Sequence, residues 1–223
     1  MFCQTCGIQV ADGSAACSSC GTTLRKKSPD VGEIGARAKL SFLDAFKSLR
    51  LVALRPVGGI AQAIEGLGSQ RSLGAGLAFA AFSALCLGTG TIRIQSGLGA
   101  PPGVGHMLGL LLLGFVPFLS IAGAVHLARR VFRGQGTLGG EAMIAGVSLF
   151  PLGVIGLLAS LLGFANVEVI GVLFLFAICY TVLLLYGGCT QVSKLPEAAS
   201  APAVAIILLL SGWFSKILYA ALV

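Results

Sequence analysis

Between Arg71 and Lys216 the chain runs for long stretches without a charged side chain, and these gaps constrain the fold more than any single motif. Residues 72–92, 94–128, 142–167, 169–193 and 198–215 contain no Asp, Glu, Lys or Arg. A membrane-crossing helix needs about 20 mostly apolar residues. The run 94–128 opens on the loop-forming Gly97-Leu98-Gly99-Ala100-Pro101-Pro102-Gly103, which leaves 105–128 as helix. The gaps therefore predict five spans. Their apolar character is continuous, whereas barrel strands alternate over segments of about ten residues, so a β-barrel is disfavoured. Composition excludes the other classes. Hydrophobic residues make up 56% and charged residues 10% of the chain, against about 25% charged in a soluble domain. Disorder would need low hydrophobicity and high net charge.

The N-terminal third differs. Residues 1–71 carry nine Lys or Arg and five Asp or Glu, and the remaining 152 carry six and three. The opening Met1-Phe2-Cys3-Gln4-Thr5-Cys6 has neither a basic nor an apolar leader region, which predicts a cytosolic N-terminus. Topology follows from the basic residues. With the N-terminus inside and five spans, thirteen Lys or Arg lie on the cytosolic side, leaving Arg93 and Lys216 outside. The positive-inside rule selects this orientation and puts the C-terminus outside. The expected location is an integral, multi-pass position in a membrane, with a bacterial inner membrane as the setting.

Cys3-Gln4-Thr5-Cys6-Gly7 and Cys17-Ser18-Ser19-Cys20-Gly21 are two CxxCG units separated by ten residues. Two such units supply the four thiolates that structural zinc binds tetrahedrally. Asp12-Gly13 suits the turn of a hairpin between them. Cys3, Cys6, Cys17 and Cys20 are thus expected to hold one Zn ion in a closed, structural site. Two disulfides or an iron site are the alternatives, and a cytosolic setting disfavours the former. Cys86, Cys179 and Cys189 lie in or beside apolar runs and carry no assigned role. Residues 1–24 resemble the zinc-ribbon modules at the N-termini of many prokaryotic membrane proteins.

Residues 25–30 read as a basic linker, and 31–71 as interfacial helices. Over 31–55, Ile34, Ala38, Phe42, Ala45, Phe46, Leu49 and Val52 share one face at 100° per residue. Arg37, Lys39, Asp44, Lys47, Arg50 and Arg55 lie away from it. A basic helix with such a face suits a membrane surface; packing against the ribbon or another subunit is the alternative. Pro56 should stop this helix, and Ile60–Leu67 should form a second ending near Gly68.

Within 72–223, His126, Arg129, Arg130 and Arg133 gather at the cytosolic end of the second span, and Glu141 opens the third. Ionisable groups at a membrane boundary are costly and often paired, which makes these five a candidate functional cluster. The alternative is that the arginines serve only as a topology signal. His106 is expected at the outer interface, and Glu168 marks an outer boundary. Pro117 and Pro151 should kink or break their helices. Gly105 and Gly109 have the spacing of a close helix contact. No HExxH, GxSxG, Walker A or dinucleotide fingerprint is present, so no catalytic residues are assigned and the chain is not expected to be an enzyme.

The order of several short stretches resembles the Yip family of five-span membrane proteins. These are Leu54-Arg55-Pro56 before the first span, His126 to Gly136, Gly140-Glu141, Pro151, Leu183 to Cys189, and Pro196-Glu197. The resemblance covers roughly residues 50–222. It implies an all-α polytopic membrane bundle of five transmembrane helices, here preceded by a zinc-ribbon β-hairpin module and an amphipathic helix, with the N-terminus in and the C-terminus out. Eukaryotic members act in vesicle traffic and bind lipidated small GTPases. The expected function is a noncatalytic membrane adaptor or organiser, whose ribbon and basic helix bind an unidentified protein partner beside the lipid bilayer. A homo-oligomer is compatible with this, and no nucleic acid is expected. The alternative is a transporter, channel or lipid-moving protein using the kinked second and third spans.

Overall fold

In a computed structural model of the chain, the described residues are 6, 8, 19, 20, 31–97, 103, 105, 109, 113–162 and 167–222. The chain divides into two units, Met1–Arg37 and Ala38–Val223. The hairpin expected over 1–24 lies outside the described residues, apart from Cys6, Ile8, Ser19 and Cys20.

The described elements are all helical: α1 Val31–Leu54, α2 Gly59–Gly97, α3 Val116–Val131, α4 Leu138–Leu162, α5 Val167–Gly187 and α6 Glu197–Leu222. A π-helical turn, Gly188–Val192, extends α5. Four helical stretches are long and apolar enough to cross a membrane: Gly59–Arg93, Leu138–Leu162, Glu168–Val192 and Glu197–Ile217. These make the chain a multi-pass membrane protein. Of the run expected at 105–128, the described helix α3 has 16 residues and is about 24 Å long.

Local chemistry sets the breaks. The chain turns over Arg55–Gly58, where Pro56 lacks an amide hydrogen to continue α1. Gly68 adopts φ +74°, a left-handed conformation that glycine enters freely, and it divides α2 into a short arm and a long one. Pro117 occupies the first turn of α3, so it starts a helix where no amide hydrogen is needed. Pro151 remains inside α4.

The centre of the bundle is the α2–α4 seam. A Cβ placed on Gly76 would lie 2.5 Å from the Ala142 carbonyl carbon and oxygen, one on Gly153 would lie 2.9 Å from Ser83 Cα, and one on Gly90 would lie 3.1 Å from the Gly156 oxygen. Gly146 faces the Gly76 carbonyl, and Gly139 faces Ser69, with still less room. The contact positions therefore recur every seven residues: 69, 76, 83 and 90 on α2, and 139, 146 and 153 on α4. Seven residues are about two helical turns, so the small residues stay on one stripe and the backbones can approach. Residue numbers rise together along both stripes, so α2 and α4 run parallel. Gly105 and Gly109, whose spacing permits a close contact, have no described atom within 4 Å of a Cβ position.

Around the seam lie Phe79, Met143, Ile144, Val147, Leu184 and Leu185, all buried. Phe150 stacks on Phe82 at 5.4 Å and meets Phe79 edge-on at 5.7 Å. α5 packs on α4, and α3 packs on both α4 and α6.

The face expected on α1 divides in two. Ala45 and Val52 are buried, with Asp44 and Ser48, whereas Phe42 and Phe46 are exposed. The buried stripe is turned from the apolar centre of the wheel because α1 is held by polar groups. Arg71 of α2 donates from Nε to Asp44 Oδ2 at 2.9 Å and from Nη2 to Oδ1 at 2.6 Å. Farther along, the Tyr180 hydroxyl of α5 lies 2.9 Å from the Val52 carbonyl oxygen and 3.0 Å from that of Ala53, beside the carbonyls that the end of α1 leaves unpaired. Helix α1 thus crosses from α2 to α5. Asp44, expected to face away with the other charges, is a structural anchor.

Candidate functional site: the buried cluster joining α3 and α4

The turn between α3 and α4 positions three of the five candidate residues together. Helix α3 ends in a Schellman arrangement, in which the Gly134 amide donates to the Arg129 oxygen at 2.8 Å and the Arg133 amide donates to the Arg130 oxygen at 3.4 Å. Thr137 then caps α4, its Oγ1 accepting the Gly140 amide at 3.2 Å. Glu141 follows in the first turn of α4 and is 3% exposed.

The Glu141 carboxylate is held through both oxygens. Arg129 Nε donates to Oε1, and His126 Nδ1 lies 2.9 Å from Oε2. Arg129 Nη1 also donates to the Gly136 carbonyl at 3.1 Å. Arg129 Nη2 lies 3.3 Å from His126 Nδ1. A proton on Nδ1 lets His126 donate to Glu141; without it, two lone pairs would face each other. The aliphatic stem of Arg129 lies over Gly134 and Gly136, where a Cβ would fall 3.3 Å and 3.2 Å from its carbons. The glycines of the turn therefore make room for the arginine.

Electrostatics favour this pairing beyond simple contact. Arg129 sits in the last turn of α3, and Glu141 sits in the first turn of α4. Each charge faces the helix end whose dipole it complements. The arrangement fastens two helices and orders their turn. It presents a buried carboxylate already satisfied on both oxygens, which is the chemistry of a structural clamp rather than of a base awaiting a substrate.

Arg130 and Arg133 do not join the cluster. Both are exposed, and Arg133 has φ +53°. His106 lies outside the described residues, as do Cys3 and Cys17. Cys6 and Cys20 are exposed. Among the described residues, no three His, Cys, Asp or Glu gather as a metal site; two of the four thiols expected to bind zinc lie outside that set. Sequence reading missed the Asp44–Arg71 pair, the Thr137 cap and the role of the Gly136 carbonyl. Only Thr137 had a local signal, a hydroxyl residue immediately before a helix.

No protein-family model, curated protein or solved structure matches the chain, so function must be read from its own residues.

Proposed function

We propose that the chain is a noncatalytic integral membrane adaptor or organiser, whose N-terminal cysteine module and basic α1 bind a partner at the cytosolic membrane surface. The observation that carries this reading is the α2–α4 seam. Its glycines and serines close the middle of the bundle by direct backbone contact, from Gly139 facing Ser69 to Gly156 facing Gly90. A transport path through the second and third spans would need a polar cavity reaching mid-membrane. Two cavities within the bundle are instead lateral and almost wholly apolar, one between α3 and α6 and one beneath α1.

Five crossings belong to the same proposal. Because α2 and α4 are parallel, the chain between them must return by the length of their contact. Gly139 to Gly156 rises about 25 Å, and α3 is about 24 Å long. With α3 as the second crossing, the N-terminus is cytosolic and the C-terminus outside, as the thirteen inward basic residues favour. A reporter fused after Val223 should read as noncytosolic, and a cytosolic signal would remove α3 as a crossing.

Cys3, Cys6, Cys17 and Cys20 would hold one structural zinc ion, which fixes the shape of the binding module. Elemental analysis should return one zinc per chain, lost when Cys3 and Cys6 are replaced by Ser. Affinity capture of the detergent-solubilised protein, with and without residues 1–30, tests the adaptor reading. A partner that requires those residues supports it, and identical captures with both forms overturn it. The resemblance to the Yip family is consistent with this assignment and names no partner.

A further inference from the structure

A lateral cavity of about 300 Å³ lies beneath α1, bounded by Ala53, Phe79, Phe150, Ile155, Phe176 and Tyr180 among others. It falls at the lower end of the size range of ligand pockets. Its walls are almost entirely apolar, and its one hydroxyl, Tyr180, already bonds the carbonyls of α1. An apolar cavity of this kind does not hold water well. It can take a hydrocarbon chain, but nothing in it can recognise a head group.

Recognition of a head group is available next door. Lys47, Arg50 and Arg55 line a depression of about 500 Å³ on the other side of α1. They are exposed, and none forms an ion pair among the described residues. Arg50 lies on the helix edge between the two depressions. Arg50 stands three residues before Ala53 at the cavity rim, and Lys47 stands three before Arg50, so their side chains neighbour one another in turn. Phe42 and Phe46 continue the exposed apolar edge from the cavity toward the start of α1. A molecule that fits must be apolar at one end and anionic at the other, with the junction at the height of a membrane-surface helix.

We propose that the cavity and the Lys47–Arg50 edge of α1 hold one anionic glycerophospholipid, with an acyl chain against Phe150 and Phe176 and its phosphate on the two basic side chains. The site shares no residue with the cysteine module, so it stands or falls independently of the adaptor reading. It would make the seating of α1, clamped at Asp44 and Tyr180, responsive to the lipid beneath it.

The test uses the full chain in phosphatidylcholine vesicles containing a trace of phospholipid with a photoreactive diazirine in one acyl chain. Two probes are compared, phosphatidylglycerol and phosphatidylcholine, and labelled peptides are mapped by mass spectrometry. Residues 150–155 and 176–180 should be labelled several-fold more by the phosphatidylglycerol probe. Changing Arg50→Gln or Lys47→Gln should each weaken that preference by about five-fold, the effect of one basic residue at an anionic surface. Filling the cavity with Ile155→Trp should abolish its labelling by both probes while leaving the exposed face at Leu209 and Trp213 labelled, which also reports that the bundle is folded. The control Arg130→Gln should change nothing. Equal labelling by the two probes, a preference that survives the double Lys47→Gln, Arg50→Gln change, or cavity labelling unaffected by Ile155→Trp would each overturn the proposal.

Discussion

Helices α4 and α1 both pack against α2, yet they differ in how much polar contact they use. Helix α4 meets it backbone to backbone through a stripe of residues that have almost no side chain. Helix α1 touches it closely at Gly59 and Gly74 and adds two polar handles, the Arg71–Asp44 pair and, on α5, the Tyr180 hydroxyl, with a cavity beneath it. In a membrane, burying apolar surface gives helices little reason to associate, because lipid tails are as apolar as leucine. Close backbone packing and polar contacts must supply the specificity. This chain uses packing where the position must be fixed and polar handles where an element lies at the surface.

The sharpest way to break that comparison is to add one methyl group to the seam. At Gly146 a Cβ would fall deep inside the contact distance of the Gly76 carbonyl, and neither backbone can yield alone. Gly146→Ala should destabilise the fold by about 3 kcal/mol or more, measured by equilibrium unfolding in mixed micelles. Gly123→Ala, with no described atom within 4 Å, should stay within about 0.5 kcal/mol of the parent. Comparable losses at both positions would mean that the seam is not special.

The polar clamp between α3 and α4 ranks next. Glu141→Gln keeps the shape but removes the charge that faces Arg129 and His126. Breaking a fully buried pair costs about 3–5 kcal/mol; Arg129 keeps a fifth of its side chain in contact with solvent, so about 2 kcal/mol is the discounted expectation. A loss well below 1 kcal/mol would reduce the cluster to a topology marker. If partner binding falls while the folded fraction is matched, the cluster also serves the proposed function.

At α1 the expected effect is smaller. Tyr180→Phe removes one hydroxyl that serves two carbonyls and should cost about 1 kcal/mol, with α1 becoming more open to amide exchange while the α2–α4 seam stays protected. Equal loss of protection across both would show that α1 and the seam unfold as one unit.

These rankings also explain what could be read from the chain itself. Four of the five apolar gaps, the stop at Pro56 and the break at Gly68 were legible because each is a local rule of length or backbone freedom. The Glu141 clamp was partly legible, since the residues lie close in sequence and flank one turn. Which arginine takes the carboxylate was not, because that depends on how Gly134 and Gly136 open space for the Arg129 stem. The seam was not legible at all. The chain has 32 glycines, and only the pairing of two helices separated by 40 residues of sequence tells Gly76 and Gly146 from Gly105 and Gly109. Asp44 misled for the same reason, because its partner Arg71 lies in another helix.

The smallest expected effect concerns two residues that disobey a backbone rule. Arg133 and Lys194 are the two non-glycine residues at positive φ among the described residues, at +53° and +49°. Each follows a helical segment, after α3 and after the π turn that extends α5. The two turns are neighbours, since Gly134 packs against the Ser193 carbonyl. Glycine or asparagine would suit both positions better, because a left-handed residue with a longer side chain carries a steric cost. Folding therefore gives no reason for a basic residue at either place, whereas topology does: both belong to the side that the positive-inside rule assigns to the cytosol. Arg133→Asn should accordingly raise stability, by up to about 1 kcal/mol, and the double change with Lys194→Asn should raise it further. The same double variant should increase the fraction of molecules inserted with the C-terminus inside, read by a reporter after Val223. A gain in stability with no change in orientation would show that the remaining inward charges suffice. A loss of stability would show that Arg133 and Lys194 support the paired turns themselves, and would move them from the topology signal to the structural side of the comparison.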